Sequence, residues 1–266
     1  MLRSEKMFHV KRPEAEPGQN VSRETDGEKM ERREMLEKAF ADAGLPLTGT
    51  QIDAFLKYAL ILQEWNLKFN LTAVTEFEEI VTRHFLDSAA PVFEGFLPEG
   101  RIIDVGSGAG FPGIPLKILC PDREIVLLDS LRKRVGFLEH VIRELKLKGI
   151  AAVHGRAEDL ARNAQYRERF DLATARAVAP LNVLTEFCVP FVRTGGEFLA
   201  YKSEAAETEL QTAEKALKTL GIGPVGTRFF LLPGTEYCRC LIRAVKTKAT
   251  PAVYPRKAGT VSKKPL

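Results

Sequence analysis

Asp104, Gly106, Gly108 and Gly110 occupy alternate positions in the stretch RIIDVGSGAGFPGIPL, residues 101–116. Glycines directly after an apolar run remove side chains where the backbone must approach a small ligand. The acid stands at the end of the run, beside the turn. A carboxylate there suits a ligand with a cationic amino group and a sulfonium, as in S-adenosylmethionine, and repels a pyrophosphate. Gly108, Gly110 and Gly113 also spell the G-x-G-x-x-G of dinucleotide-binding turns. In that register the first glycine falls past the end of the run and Pro112 adjoins the third. Asp129, followed by Ser130 and Leu131, ends the next apolar run. Its carboxylate can accept both hydroxyls of a ribose, which serves either cofactor. Glu158, in GRAED after the third run, stands where an adenine edge would lie. Each acid could instead simply cap the following helix. Their recurrence after three successive runs favours a cofactor site.

These residues need a frame that brings strand ends together. From residue 101, short apolar runs alternate with amphipathic segments: RIIDV (101–105), EIVLLD (124–129), IAAVHG (150–155), FDLATA (170–175) and GEFLAYK (196–202). Leu131, Val135, Leu138, Ile142 and Leu145 recur at helical spacing over 131–146. Runs buried on both faces with helical crossovers predict a parallel sheet flanked by helices. RFFLLPGTEYCRCLIRAV (228–245) reads as a hairpin around Pro233-Gly234. The expected fold is therefore α/β and Rossmann-like: a mostly parallel class I methyltransferase sheet closed by an antiparallel C-terminal hairpin.

A helical cap precedes it. The segment 27–44 ends in Gly44, a helix stop. Ile52, Phe55, Leu56, Ala59, Leu62 and Trp65 form one stripe of a second helix, and residues 76–93 predict a third, broken near Pro91. The expected organisation is a disordered leader (1–27), a helical cap (28–97), a cofactor-binding domain (98–245) and a basic tail (246–266).

The segments WNLKFNLTAVTEFEEIVTRHFLDSAAP, IIDVGSGAGFPGIPLKI, LLDSLRKRVGFL, GRAED, ATARAVAPL and YPRKAGTVSKKPL together resemble the glucose-inhibited division protein B (RsmG) family of bacterial 16S ribosomal RNA guanine-N7 methyltransferases. The likeness spans about residues 60–266 and leaves the leader out. It implies that Gly106, Phe111, Asp129, Ala157, Glu158 and Arg176 contact S-adenosylmethionine. It also implies a guanine in the 530 loop of 16S RNA as substrate, on the 30S subunit or its precursor. Where the family commonly has Lys-Gly after the fifth strand, this chain has Lys202-Ser203.

The residues agree with such chemistry by what they lack. Methylating cytosine C5 needs a cysteine nucleophile, and neither Cys120 nor Cys188 falls in a strand-end loop. Methylating an exocyclic amine goes with an Asn/Asp-Pro-Pro-aromatic turn, where this chain has ARAVAPL. A ribose hydroxyl needs a base, and no Lys-Asp-Lys-Glu set stands out. Guanine N7 has a free lone pair and no proton to remove, so positioning suffices. An unpaired guanine is the expected target, because side chains cannot read the deep RNA groove. Candidate RNA contacts are Arg132, Lys133 and Arg134, Lys202 after the fifth strand, and Arg256, Lys257, Lys263 and Lys264 in the tail. The first three could equally be a solvated helix face. In the cap, His84 could touch substrate or hydrogen-bond Asp87 one turn on. Two rival functions remain: an NAD-linked oxidoreductase using the same loop, and a non-catalytic RNA-binding protein of ribosome assembly.

Net charge is +4, but residues 246–266 carry Lys246, Lys248, Arg256, Lys257, Lys263 and Lys264 and no acid, so the rest of the chain is net acidic. Such a tail can grip phosphate or merely solubilise. It could also fold back, with Val253 and Tyr254 packing on the body. The four cysteines sit in apolar segments without a zinc spacing, and no apolar run is long enough to span a bilayer. A reduced cytoplasmic protein without metal is expected. In the leader, Phe8-His9-Val10-Lys11 can be encoded by TTTCACGTGAAA, its own reverse complement, which after Met7 resembles a bacterial chromosome-partition site.

Overall fold

The computed structural model of the chain describes residues 25–266. The Phe8–Lys11 stretch and almost all of the leader lie outside the described residues. Helix α1, Asp26–Asp42, starts inside the stretch assigned to the leader. Its start is set by a reciprocal cap: Glu28 N–H donates to Thr25 Oγ1, and Thr25 N–H donates to the Glu28 carboxylate at 2.8 Å. Thr48 and Gln51 cap α2, Gly49–Phe69, in the same way. Its expected stripe faces inward, with Ile52, Phe55, Ala59 and Leu62 buried and Leu56 and Trp65 partly so.

The third helical stretch departs from expectation. Helix α3, Phe77–Ile80, runs into a π turn, Val81–Leu86, and on into α4, Asp87–Phe93. Pro91 does not break it. The residue lies near the end of α4, which stops two residues later, and Gly95 at φ +68° closes the helix. The irregularity lies upstream, at the π turn, a device common at functional sites.

The strands are β1 (Ile102–Val105), β2 (Ile125–Asp129), β3 (Ile150–His154), β4 (Phe170–Arg176), β5 (Val192–Lys202), β6 (Ile222–Leu231) and β7 (Cys238–Lys246). They form one sheet in the order β3-β2-β1-β4-β5-β7-β6, with β7 antiparallel to both neighbours and the first five strands parallel. The strand order reverses between β1 and β4, which opens a crevice at their carboxyl ends. Only the central strands are buried on both faces. The edge strands β3 and β6 are largely open to solvent on one face or both.

Helices α5 (Gly113–Leu119), α6 (Arg132–Glu144), α7 (Ala157–Leu160), α8 (Leu181–Cys188), α9 (Ala206–Thr219) and α10 (Thr260–Lys263) complete the chain. Alternate residues of β1 feed two cores: Ile102 packs with the cap helices and α5, while Ile103 and Val105 pack with α8 and α9. The cap thus shares its core with one face of the sheet. A file of rings runs from it to the glycine loop. Phe40 and Phe55 lie 5.1 Å apart, Phe55 and Phe85 4.8 Å, Tyr58 and Phe85 5.4 Å, and Tyr58 and Phe111 5.5 Å. Such pairs contribute about 0.5–1.5 kcal/mol each beyond burial, so the file fixes the loop against the cap.

Residues 246–266 are not a free tail. They fold back over the far side of the sheet, with Lys246 fully buried and Tyr254 packed against that core. Val253 stays exposed. No described helix is long and apolar enough to cross a membrane.

Candidate active site

Three glycines of the loop after β1 need a left-handed backbone: Gly106 at φ +79°, Gly108 at +59° and Gly110 at +94°. Their surroundings differ. A Cβ on Gly106 would meet Val178 at 2.7 Å, and one on Gly110 would meet the Tyr58 hydroxyl at 2.6 Å. Apart from its chain neighbours, a Cβ on Gly108 would find no atom of the described residues nearer than Gly106 O at 3.9 Å. Gly108 therefore faces open space, while its neighbours are glycines because protein is packed against them. The Tyr58 hydroxyl donates to Ala109 O and clamps the loop from the cap side.

Asp129 ties this loop to the next one. Its Oδ2 accepts Gly108 N–H at 2.9 Å, its Oδ1 accepts Leu131 N–H at 2.8 Å, and the Arg134 guanidinium stands 3.5 Å away. Each oxygen keeps a lone pair for a further donor. A cavity of about 150 Å³ opens beside it, lined among others by Gly106, Asp129, Ser130, Ala157 and Glu158. The sheet thus brings together the acids that follow β2 and β3. Asp129→Ala is expected to lower affinity for S-adenosylhomocysteine at least ~10-fold, because hydrogen bonds to a charged acceptor contribute about 1.5–3 kcal/mol each. Calorimetric titration checks this; unchanged affinity would reduce Asp129 to a loop tie.

Asp104 does not line that cavity. It is fully buried under the loop, where Oδ2 accepts Gly113 N–H at 3.0 Å and Oδ1 has no hydrogen-bond partner among the described residues. Burial pushes its carboxyl up to about 7. A buried carboxylate with an unfilled oxygen fits a neighbouring cationic ligand.

A second cavity, about 420 Å³, lies on the cap side of the β4 end and is lined by Arg83, His84, Asp87, Arg176, Tyr201, Lys202 and Arg239, with others. The two cavities meet at the loop after β4, since Ala177 lines the second and Val178 the first. Ala177 sits at φ +56°, which costs a non-glycine residue about 1–2 kcal/mol. Strain of this kind collects at functional sites.

Arg176 belongs to the second cavity. Its guanidinium donates to Asp87 Oδ2 at 2.7 Å and to Arg83 O at 2.8 Å, and lies over the Phe111 ring at 5.1 Å. Asp87 is shared, because Arg239 donates to its Oδ1 at 3.0 Å. Phe111 itself is core, stacked on His84 at 4.4 Å. His84 does not pair with Asp87. Its Nε2 lies 2.8 Å from Thr72 Oγ1 and its Nδ1 3.2 Å from Arg176. The π turn spaces residues more widely than the one-turn expectation assumed. Burial, and then the Arg176 charge, push the imidazole down to about 3, so His84 is a neutral ring.

The candidate RNA contacts divide. Lys202 is held inside, donating to Glu209 at 2.6 Å and to Ala179 O at 3.0 Å. Arg256 makes a forked pair with the fully buried Glu186. Arg132, Lys133, Lys257, Lys263 and Lys264 remain exposed, while Arg134 is half-buried beside Asp129. The sequence reading missed Arg239, whose partner is 152 positions away. It also missed Gly259 and Ser262, which line the first cavity.

The family model described as rRNA small subunit methyltransferase G matches residues 51–234. Proteins called ribosomal RNA small subunit methyltransferase G are similar over most of their length. That of Alkaliphilus oremlandii is 47% identical over 238 residues, covering 89% of this chain and all of the relative. That of Desulfitobacterium hafniense is 51% identical over 222 residues, covering 84% of this chain and 92% of the relative.

Proposed function

The chain belongs to the rRNA small subunit methyltransferase G family, and from that premise we propose how its two cavities divide the work. The protein is an S-adenosylmethionine-dependent methyltransferase acting on N7 of a guanine in the 530 loop of 16S ribosomal RNA. The observation that carries this reading is the pairing of an acid-lined cavity at the switch point with an arginine-rich cavity across the Ala177–Val178 loop.

In the first cavity, Asp129 accepts from the ribose hydroxyls and Glu158 from the adenine edge. Asp104 supports the cationic methionine end from beneath the loop. The bound cofactor supplies a methyl group on an electrophilic sulfonium. In the second cavity, Arg83, Arg176 and Arg239 give the positive field that a nucleotide phosphate seeks, and Asp87 holds two of them in place. His84 is neutral and stacked, so it offers a ring face and no proton chemistry. None is required, because guanine N7 carries no proton. The chain's task is to hold the two reactants in line and keep water out. The exposed Arg132, Lys257, Lys263 and Lys264 add long-range attraction for RNA. Titration with S-adenosylhomocysteine and with NADH tests the cofactor assignment. Binding of the first is expected; tight NADH binding with no response to S-adenosylhomocysteine would overturn it in favour of an oxidoreductase.

A pH dependence follows from Asp104. Its folded carboxyl is raised from 3.8 to about 7 by burial, so it is largely protonated below neutrality. A cationic ligand favours the ionised form and must expel that proton at low pH. Affinity should therefore rise with pH, by up to ~10-fold per unit below about pH 7, and level off above it. Asp104→Asn should flatten the profile. Calorimetry between about pH 5.5 and 7.5, below the titration of the ligand's own amino group, reads this; a wild-type profile as flat as the variant's would remove Asp104 from the account.

A further inference from the structure

The chain after β7 is pinned by four separate anchors. Lys246 Nζ and Thr250 N–H both donate to Glu168 Oε1, at 2.7 and 2.8 Å. Arg167 donates to the carbonyls of Thr250 and Tyr254, each at 2.8 Å. Arg256 pairs with Glu186. Val261 is fully buried. From the third anchor to just past the fourth, the chain runs along the first cavity. There Gly259 N–H donates to Glu158 Oε1 at 3.3 Å, and Gly259 and Ser262 line the cavity together with Asp129.

We propose that Gly259–Ser262 is part of the cofactor-binding site, closing its adenine side and contacting the adenosine. The proposal rests on the cofactor reading above. Glu158 Oε2 has no hydrogen-bond partner among the described residues and remains for a donor such as an adenine amine. Ser262 lines the same cavity, and its hydroxyl can donate to or accept from a purine nitrogen. A Cβ on Gly259 would meet nothing within 4 Å, so the chain passes with space beside it rather than packed against protein. Four anchors hold a segment that would otherwise be a loose end. Placing it costs conformational entropy, and a wall of a ligand site is what the placement provides. This element is therefore a binding element rather than only a charged appendage.

The test uses the full chain with S-adenosylhomocysteine as probe. Ser262→Trp puts an indole at the cavity wall and should weaken binding at least ~10-fold by steric exclusion, at an unchanged melting temperature. In the unaltered chain, hydrogen exchange of the 256–264 segment should slow when the probe is added. Asp129→Ala serves as the reference. If Asp129→Ala weakens binding while Ser262→Trp does not, and exchange over 256–264 is unmoved, the segment is structural only and the proposal is overturned. If the unaltered chain binds no S-adenosylhomocysteine, the cofactor reading itself fails, and the proposal with it.

Discussion

Gly108→Val should leave the fold standing and bring S-adenosylhomocysteine binding below detection. The backbone cost is modest. A branched residue at φ +59° is strained by about 1–2 kcal/mol, against a typical domain stability of about 5–15 kcal/mol. Apart from its chain neighbours, the new Cβ would have only Gly106 O within 4 Å among the described residues, so the added methyl groups enter open space beside the loop. The substitution also disturbs the Gly108 N–H that Asp129 holds. The same change at Gly110 would drive into Ile114 and Tyr58 and should lower stability instead. Thermal melts with calorimetry separate the two positions. Normal binding by a folded Gly108→Val variant would mean that the loop cradles nothing.

Arg256→Met should be among the most destabilising single changes in the chain. Glu186 has no exposure to solvent, and Arg256 supplies both its ion pair and a backbone N–H at 2.7 Å. Removing the guanidinium leaves a buried carboxylate without a counter-charge, which costs about 3–5 kcal/mol. Glu186→Gln combined with Arg256→Met removes the orphaned charge and should recover much of that loss. Urea unfolding of the two variants reads the difference. A loss under about 1 kcal/mol for Arg256→Met would mean the pair behaves like an exposed one.

The sheet was legible because its central strands are short apolar runs at regular intervals, and the acids that end them stand at fixed places along it. The hairpin was found late in β6 only. Its first half, Ile222–Thr227, contains two glycines and a proline on an exposed edge, and carries no strand pattern. Of the two readings of His84, the bond to Asp87 assumed 3.6 residues per turn, and the π turn breaks that assumption. The tail charges misled for another reason. Lys246 and Arg256 look free in sequence, yet their partners Glu168 and Glu186 lie 78 and 70 positions away. Ion pairs formed by chain return leave no local signal. For the same reason Ser262 gave no hint that it lines the same cavity as Asp129, although the acids of the cavity did.

The central claim is tested most directly by the methyl group itself. Small ribosomal subunits from cells lacking this gene would be incubated with the protein and labelled S-adenosylmethionine, and the 16S RNA mapped for N7-methylguanine. A single label on N7 of a guanine in the 530 loop is the predicted result, lost with Gly108→Val. Label on another atom or another site, or none with cofactor bound, would contradict it.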